Sequence, residues 1–308
     1  LTNYVTDSGY AEPEDVHSYV GRNDPAGQSL LLLDLVNHKP YALPTDTLPG
    51  IKDDPLKALR RDAIAALEKA GKADQAKALK APDVRPVTVA GDGGDNIAWS
   101  DDGTELAVQL RAIDNKDRWI ASVDFGDHAL VNQQRLTDPA WINWNFNDFG
   151  WLKDGRTLWY LSEQTGWSQL YVKPLDGKAK ALTAGQFEVS HPQLSEDGQW
   201  FYLRTNRVAP YSYDVYRVPA TGGELARVTN YQGMDEFALS PDGAQLAVLH
   251  SSPYVLPQLA VQPSAGGAPR ELTSTMKAAF TAHDWIAPKI VAVPSSHGAG
   301  SIWAKYYG

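Results

Sequence analysis

The sequence predicts an all-β fold, a β-propeller of four-stranded antiparallel blades with one helical insertion. The first observation is an Asp-Gly turn that recurs at steps of 52, 43 and 45 residues, each time followed by a short apolar run. The turn glycines are Gly103, Gly155, Gly198 and Gly243. The second observation is an aliphatic residue followed by threonine, which recurs at steps of 46, 46 and 44 residues. These pairs are Leu136-Thr137, Leu182-Thr183, Val228-Thr229 and Leu272-Thr273. Two independent markers that share one period are typical of propeller blades.

Residues 230–273 show one complete unit. YQGMDEFALS reads as a first strand, and the glycine that follows it supplies the positive φ of a tight hairpin. The segments AQLAVLHS, PQLAVQP and PRELTS complete four antiparallel strands. The other blades are predicted at 86–137, 138–183 and 184–229. A ring closed by about seven or eight blades would need more chain N-terminal to Leu1.

The region before the first clear blade is less regular. Residues 1–43 include a strong strand, SLLLLDL, and predict a blade whose first half is interrupted. Residues 44–85 break the period. They predict a helical insertion over about 53–81, because Asp53-Asp54-Pro55 is a favourable helix start and apolar residues follow at helical spacing. This insertion is rich in Lys and Arg. It is interpreted as a solvated helix face, with a gate or docking element as the alternative.

Composition excludes several classes of function. The net charge of −9 argues against nucleic acid as a partner. The absence of cysteine excludes disulfides, thiolate catalysis and Cys-ligated zinc, and is compatible with either cytoplasm or periplasm. The seven histidines show no metal-binding spacing, and no phosphate-cradling glycine motif occurs, so we expect neither metal nor cofactor.

Neither membrane insertion nor a leader sequence is indicated. The longest apolar run, LLLLDLV, is too short to span a bilayer. The first ten residues lack an initiator Met, a basic start and an apolar core, so we expect a processed or excised piece of a longer chain.

A catalytic nucleophile is not predicted in this chain. The Gly-x-Ser-x-Gly motif of a nucleophile elbow is absent from the sequence. SSHGAGS (295–301) is glycine-rich but follows an extended segment with no helix after it, which argues against an oxyanion loop.

Two acidic pairs are candidate substrate-binding residues. Asp235 and Glu236 precede a blade turn, where first-strand residues tend to face the central channel, with a purely structural role as the alternative. Glu12 and Glu14 lie in an acidic loop, either as a solvated cluster or as an anchor for a cationic group.

Two further clusters have structural interpretations. WINWNFNDFGW (141–151) carries alternating aromatics that favour a strand packed between blades, with a sugar- or peptide-stacking platform as the alternative. LRAIDNKDRW (110–119) is interpreted as a mutual salt-bridge cluster on a surface turn, with a contact to a partner domain as the alternative.

Two segments resemble a known family. SEQTGWSQLYVKPLDG (162–177) resembles the S-E-x-x-G-W-x-x-L-Y signature of the dipeptidyl-peptidase-IV-like branch of the prolyl oligopeptidase family of serine peptidases. PKIVAVPSSHGAGSIWAKYYG (288–308) resembles the strand segment through which such enzymes leave the N-terminal propeller. The resemblance implies a propeller over residues 1–287 and, at 288–308, the start of the connection into a C-terminal α/β-hydrolase domain. That domain carries the Ser-Asp-His triad, so this chain alone would not be an enzyme, whereas the complete protein would be one.

The resemblance also implies a role and partners. The propeller would admit short peptides and orient them for the hydrolase domain of the same polypeptide, in a periplasmic or extracellular bacterial enzyme that could form a homodimer. In this branch an adjacent glutamate pair binds the α-amine of the substrate, but here Glu12 and Glu14 are split by Pro13. Dipeptidyl, acylaminoacyl and endo-oligopeptidase specificities therefore stay open.

Two other functions remain as alternatives. A stand-alone TolB-like propeller would scaffold protein partners, and a glycan-acting propeller would use the aromatic segment 141–151. The tail 288–308 favours the peptidase, because a stand-alone propeller would close its last blade and stop.

Overall fold

The computed structural model describes residues 2–3, 9–10, 12–13, 27–90, 96–231, 233–253, 255–286, 288–298 and 300–308. Within them the chain forms a succession of antiparallel sheets with few helices, which confirms the predicted all-β, propeller-like class. None of the helices in this part of the chain combines the length and apolar character needed to cross a membrane.

The N-terminal part contains two hairpins and the helical insertion. Strand β1 (Thr2–Asn3) pairs with β2 (Glu12–Pro13), and β3 (Leu30–Asp34) pairs with β4 (Lys39–Leu43). Helices α1 (Lys57–Lys69) and α2 (Ala73–Ala78) follow and confirm the predicted insertion. No side chain of α1 is buried, so this helix lies on the outside of the sheets.

Four sheets follow at the predicted blade positions, and we name them blades A to D. Blade A contains β5 (Val87–Val89), β6 (Ile97–Trp99), β7 (Leu106–Ala112), β8 (Asp117–Asp124) and β9 (Ala129–Thr137). Blade B contains β10 (Phe149–Trp151), β11 (Thr157–Ser162), β12 (Gln169–Pro174) and β13 (Lys180–Ala181). Blade C contains β14 (Val189–Leu194), β15 (Trp200–Ala209), β16 (Ser212–Pro219) and β17 (Ala226–Arg227). Blade D contains β18 (Met234–Leu239), β19 (Gln245–Ser252), β20 (Val255–Pro263) and β21 (Arg270–Glu271).

The strands pair in sequence order within each blade. In blade A both β5 and β6 pair with β7, so its first strand is in two pieces. A parallel bridge between Tyr213 and Met234 links blades C and D. After blade D come helix α3 (Ala278–Thr281) and a hairpin of β22 (Lys289–Pro294) and β23 (Ser301–Tyr306).

The core lies between neighbouring sheets, as blade packing requires. One apolar cluster joins the β3–β4 hairpin to blade A, and Trp119 is buried at its centre. Three further clusters join A to B, B to C and C to D, and their largest fully buried members include Tyr160 and Phe201. Because the β-branched and aromatic side chains of each strand alternate between its two faces, each blade supplies one apolar layer to each neighbour.

The Asp-Gly repeat corresponds to a hydrogen-bonded turn that recurs in several blades. In blade C the Ser195 hydroxyl donates to Asp197 Oδ1 at 2.6 Å and accepts from the Trp200 amide at 3.0 Å. Gly198 takes a φ of +69°, a left-handed conformation that favours glycine. Ser100 and Ser240 make the same bonds in blades A and D.

A hydrogen bond also explains the threonine that ends each repeat. Thr183 accepts a hydrogen bond from the Leu170 amide at 2.9 Å, and Thr229 does so from Val215 at 2.8 Å. Each hydroxyl thereby satisfies an amide of the third strand at the point where the short fourth strand departs.

Two expectations from the sequence are wrong. Residues 141–147 are not a strand, because Asp138 and Asn143 accept hydrogen bonds from amides two residues ahead, which curls the chain into turns before a short 3₁₀ segment, Trp144–Phe146. The 110–119 cluster is not a mutual surface network. Asp114 and Asp117 both pair with Arg85, at 2.6 Å each, and Asp117 is buried.

Candidate functional site

Because successive strands of a blade run in opposite directions, the turns that join them lie alternately at two opposite ends of the blade. The Asp-Gly turns lie at one end, and the turns between second and third strands lie at the other. At this second end the Trp303 ring of β23 lies 5.6 Å from the ring of Tyr211, in the β15–β16 turn. We call it the exit end, because the chain leaves the blades there.

A pair of glutamates lies at the exit end between blades B and C. Glu163 begins the turn from β11 to β12, which Gly166 closes by donating its amide to the Glu163 carbonyl at 2.8 Å. Glu188 directly precedes β14, and its Oε2 accepts from the Ser168 amide at 2.6 Å. A turn of one blade and the first strand of the next therefore meet at these two side chains, and we call them the glutamate pair.

The surroundings of the glutamate pair raise the pKa of both side chains. Burial raises the pKa of Glu163, and the nearby charge of Glu188 raises it further, against an opposing hydrogen bond from Asn143 and the opposing charge of Arg118. Burial also raises the pKa of Glu188, opposed by the Ser168 amide. Among the described residues, no Lys, Arg or His forms an ion pair with either carboxylate. Two half-buried carboxylates of this kind favour a bound cation.

Polar and aromatic side chains surround the pair. Burial and the charge of Glu188 raise the pKa of Tyr213, whose hydroxyl accepts from Asn206 Nδ2 at 3.4 Å. Nearby, Trp167, Val208 and Trp303 line a cavity of about 230 Å³. The exit end thus combines two carboxylates with a recess of mixed lining, in which Gln186, Asn206 and Arg207 lie beside the aromatic rings.

A second and larger cavity, about 600 Å³, opens on the first strands of blades B, C and D. We call it the channel cavity, because first strands are innermost in a propeller. Its lining residues are Asp148, Phe149, Trp159, His191, Pro192, Gln193, Arg204, Glu236 and Phe237.

The acidic residues predicted from the sequence lie in different environments. Asp235 is fully buried, accepts a hydrogen bond from the Thr229 hydroxyl, and has its pKa raised to about 6 by burial. Glu236 is exposed and lines the channel cavity, with its Oε1 3.7 Å from Arg204 Nη1. The strand alternation directs these neighbours to opposite faces, so the structure does not bring them together. The backbone of Glu12 lies in β2, whereas its side chain and all of Glu14 lie outside the described residues.

Sequence reasoning missed the glutamate pair and most of the channel cavity. Glu163 stands in the 162–177 motif, but its partner comes from the next blade, and no local pattern connects them. The sequence does contain a pattern that could have predicted the channel cavity. Asp148, His191 and Glu236 each stand seven residues before a turn glycine, so they occupy equivalent positions in the repeat. Within the described residues no group of three or more potential ligands is arranged to hold a metal ion.

Comparison with known proteins agrees with this architecture. Residues 94–257, more than half of the chain, match the family described as the dipeptidyl peptidase IV N-terminal region. The fold is similar to that in the crystal structure of Porphyromonas gingivalis dipeptidyl peptidase 4, with a TM-score of 0.60 and 15% sequence identity. That match covers 89% of this chain and 34% of the other, so the chain spans about a third of the length of the solved protein. The chain therefore belongs to the family of dipeptidyl peptidase IV N-terminal regions.

Proposed function

We propose that this chain is the propeller domain of a serine peptidase and that it gates and orients short peptides for a C-terminal Ser-Asp-His hydrolase domain. Family membership supports its association with a peptidase. The observation that carries the proposal is the glutamate pair, Glu163 and Glu188, at the end of the blades where the chain departs.

The chemistry of the pair suits the free amino terminus of a peptide. An α-ammonium group offers three donors and one positive charge, which two neighbouring carboxylates can accept in charge-assisted hydrogen bonds. Binding would relieve the repulsion between Glu163 and Glu188 and favour the ionised form of both. The recess lined by Trp167 and Trp303 would then take an apolar side chain of the same peptide.

The acidic residues selected from the sequence keep a place in this proposal. Glu12 and Glu14 remain proposed ligands for the same ammonium group. Glu236 is proposed to contact the peptide farther along the channel. Asp235 is proposed to contribute to substrate binding from below this contact, because the Asp235 side chain is buried.

Calorimetric titration of the full chain tests the proposal. The two peptides are Ala-Pro-Ala with a free amine and its N-acetylated form. We expect wild-type protein to bind the free amine at least about tenfold more tightly, the scale of one charge-assisted hydrogen bond. The double variant Glu163→Gln with Glu188→Gln should lose this preference. The single variants Glu12→Gln and Glu14→Gln test whether these two residues also bind the ammonium group.

The matched control is Glu224→Gln. Glu224 is exposed on the turn between β16 and β17, so this variant changes net charge by one without touching the exit end. It should keep the preference of the wild type. Equal binding of the two peptides by the wild type, or no binding of either, would contradict the proposal, and the second result would favour a scaffolding propeller.

A further inference from the structure

The channel cavity is built from one repeated position of the blades. Asp148 precedes β10, His191 lies in β14 and Glu236 lies in β18, each seven residues before its turn glycine. Three polar side chains from three blades thus converge on a cavity of about 600 Å³. Repeated positions that pack between blades are apolar in this chain, so polar residues at this one indicate an aqueous, ligand-accessible wall.

Asp148 and His191 are joined through the backbone of His191. The His191 amide donates to the Asp148 carboxylate, and His191 takes a φ of +50°, left-handed, where the β14–β15 register shifts between Ser190 and Gln193. A non-glycine residue held in this conformation at a bulge re-aims its side chain. Here the bulge leaves the imidazole exposed at the cavity. Burial raises the pKa of Asp148, and both the charge of His191 and the His191 amide oppose this rise.

An indole ring forms the apolar wall of the cavity. Trp159 lies directly across the sheet from Gly150, and a Cβ on Gly150 would meet the ring at 2.9 Å. The ring therefore lies against bare backbone, one residue from Phe149 and two from Asp148. An aromatic face close to a carboxylate is the arrangement that binds a cation by both charge and quadrupole.

The opposite wall carries a loosely paired charge. Arg204 Nη1 lies 3.7 Å from Glu236 Oε1, beyond hydrogen-bond distance, and Arg204 Nε has no hydrogen-bond partner among the described residues. The side chain of Glu236 is 68% exposed. The cavity lining thus holds two carboxylates, Asp148 and Glu236, against one guanidinium, Arg204, with His191 as the other titratable group, beside aromatic rings.

We propose that the channel cavity binds the basic side chain of a peptide residue, arginine or lysine, between Trp159, Asp148 and Glu236. Arginine suits it best, because a planar guanidinium can stack on the indole while it donates to a carboxylate at its edge. This inference goes beyond the proposed function. It concerns a side chain rather than the amino terminus, and it selects peptides by internal sequence.

Binding of N-acetylated peptides by the full chain tests this inference separately from the glutamate pair. The probes are acetyl-Ala-Ala-X-Ala-amide with X as arginine, citrulline or norleucine, titrated by calorimetry. Acetylation removes the ammonium group, so failure of the amine proposal leaves this test intact. We expect the arginine peptide to bind at least about tenfold more tightly than the citrulline peptide, which has the same shape without the charge.

Two variants and one control assign the effect to the cavity. Asp148→Asn and Glu236→Gln should each reduce the arginine-to-citrulline ratio at least about threefold, whereas Glu224→Gln should leave it unchanged. Glu236 is exposed, so its variant folds even if Asp148→Asn does not. A ratio near one in the wild type, no binding of the arginine peptide, or a ratio unchanged in both variants would overturn the inference.

Discussion

The indole of Trp159 lies over Gly150, its cross-strand neighbour in blade B, with no room between them for a side chain. The glycine is thus required by close approach, since its φ is not left-handed. The same ring meets Phe201 of blade C edge-on at 5.7 Å, and it lines the channel cavity. One glycine therefore determines both a contact between blades and a wall of the cavity.

Gly150→Ala should displace this ring. The added methyl would lie 2.9 Å from the indole, so either the ring or the strand must shift, at a cost of about 1–3 kcal/mol in the free energy of unfolding. Chemical denaturation measures the loss. Gly243→Ala is the comparison, because its added methyl meets no atom within 4 Å and only its φ of +69° opposes the change. An unchanged Gly150→Ala protein would show that the ring has room to move.

Asp235→Asn should alter how stability depends on pH. Burial raises the pKa of Asp235 to about 6 from 3.8, and the nearby charge of Asp214 contributes in the same direction. Between these values the folded chain holds a proton that the unfolded chain releases, so the free energy of unfolding contributed by this group rises as pH falls from above about 6 to below about 4.

The asparagine variant lacks this titration. It should therefore gain stability relative to the wild type near neutral pH, by up to about 3 kcal/mol, and the gain should shrink as pH falls below about 6 and disappear below about 4. Denaturation midpoints of both proteins across this range measure the difference. A difference that does not vary with pH would show that Asp235 keeps the same charge in the folded and unfolded chain.

Arg118→Lys should destabilise the junction of blades A and B. Arg118 is fully buried, and burial lowers its pKa to about 10. Its guanidinium donates to Leu161 O at 3.0 Å, to Gln134 Oε1 at 2.7 Å and to Asn147 Oδ1, and no described carboxylate pairs with it. An ammonium group cannot reach three acceptors spread over a planar fork, so we expect a loss of about 2–4 kcal/mol. Arg61→Lys, at an exposed surface pair, should change stability by less than about 0.5 kcal/mol in the same denaturation assay.

The features that sequence reasoning recovered are those encoded locally. The Asp-Gly turns and closing threonines each satisfy backbone groups a few residues away, so their period reports the blades directly. The features it missed depend on long-range partners. Asp117 pairs with Arg85 across 32 positions, and Glu188 meets the turn of the previous blade. The predicted strand at 141–151 is correct only for Phe149–Trp151, which packs between blades A and B. Before it, Asp138 and Asn143 accept hydrogen bonds from nearby backbone amides, and the chain turns instead.

The central claim is that these blades select short peptides for a following hydrolase domain. Its most direct test is hydrolysis by the product of the complete reading frame. The substrates are a ladder of free-amine alanyl-prolyl peptides of increasing length and a folded protein with the same first residues. We predict cleavage of the short peptides, none of the folded protein, and loss of this discrimination when the blades are removed and the hydrolase domain is retained. No peptidase activity, or equal cleavage of peptides and folded protein by the complete product, would contradict the account.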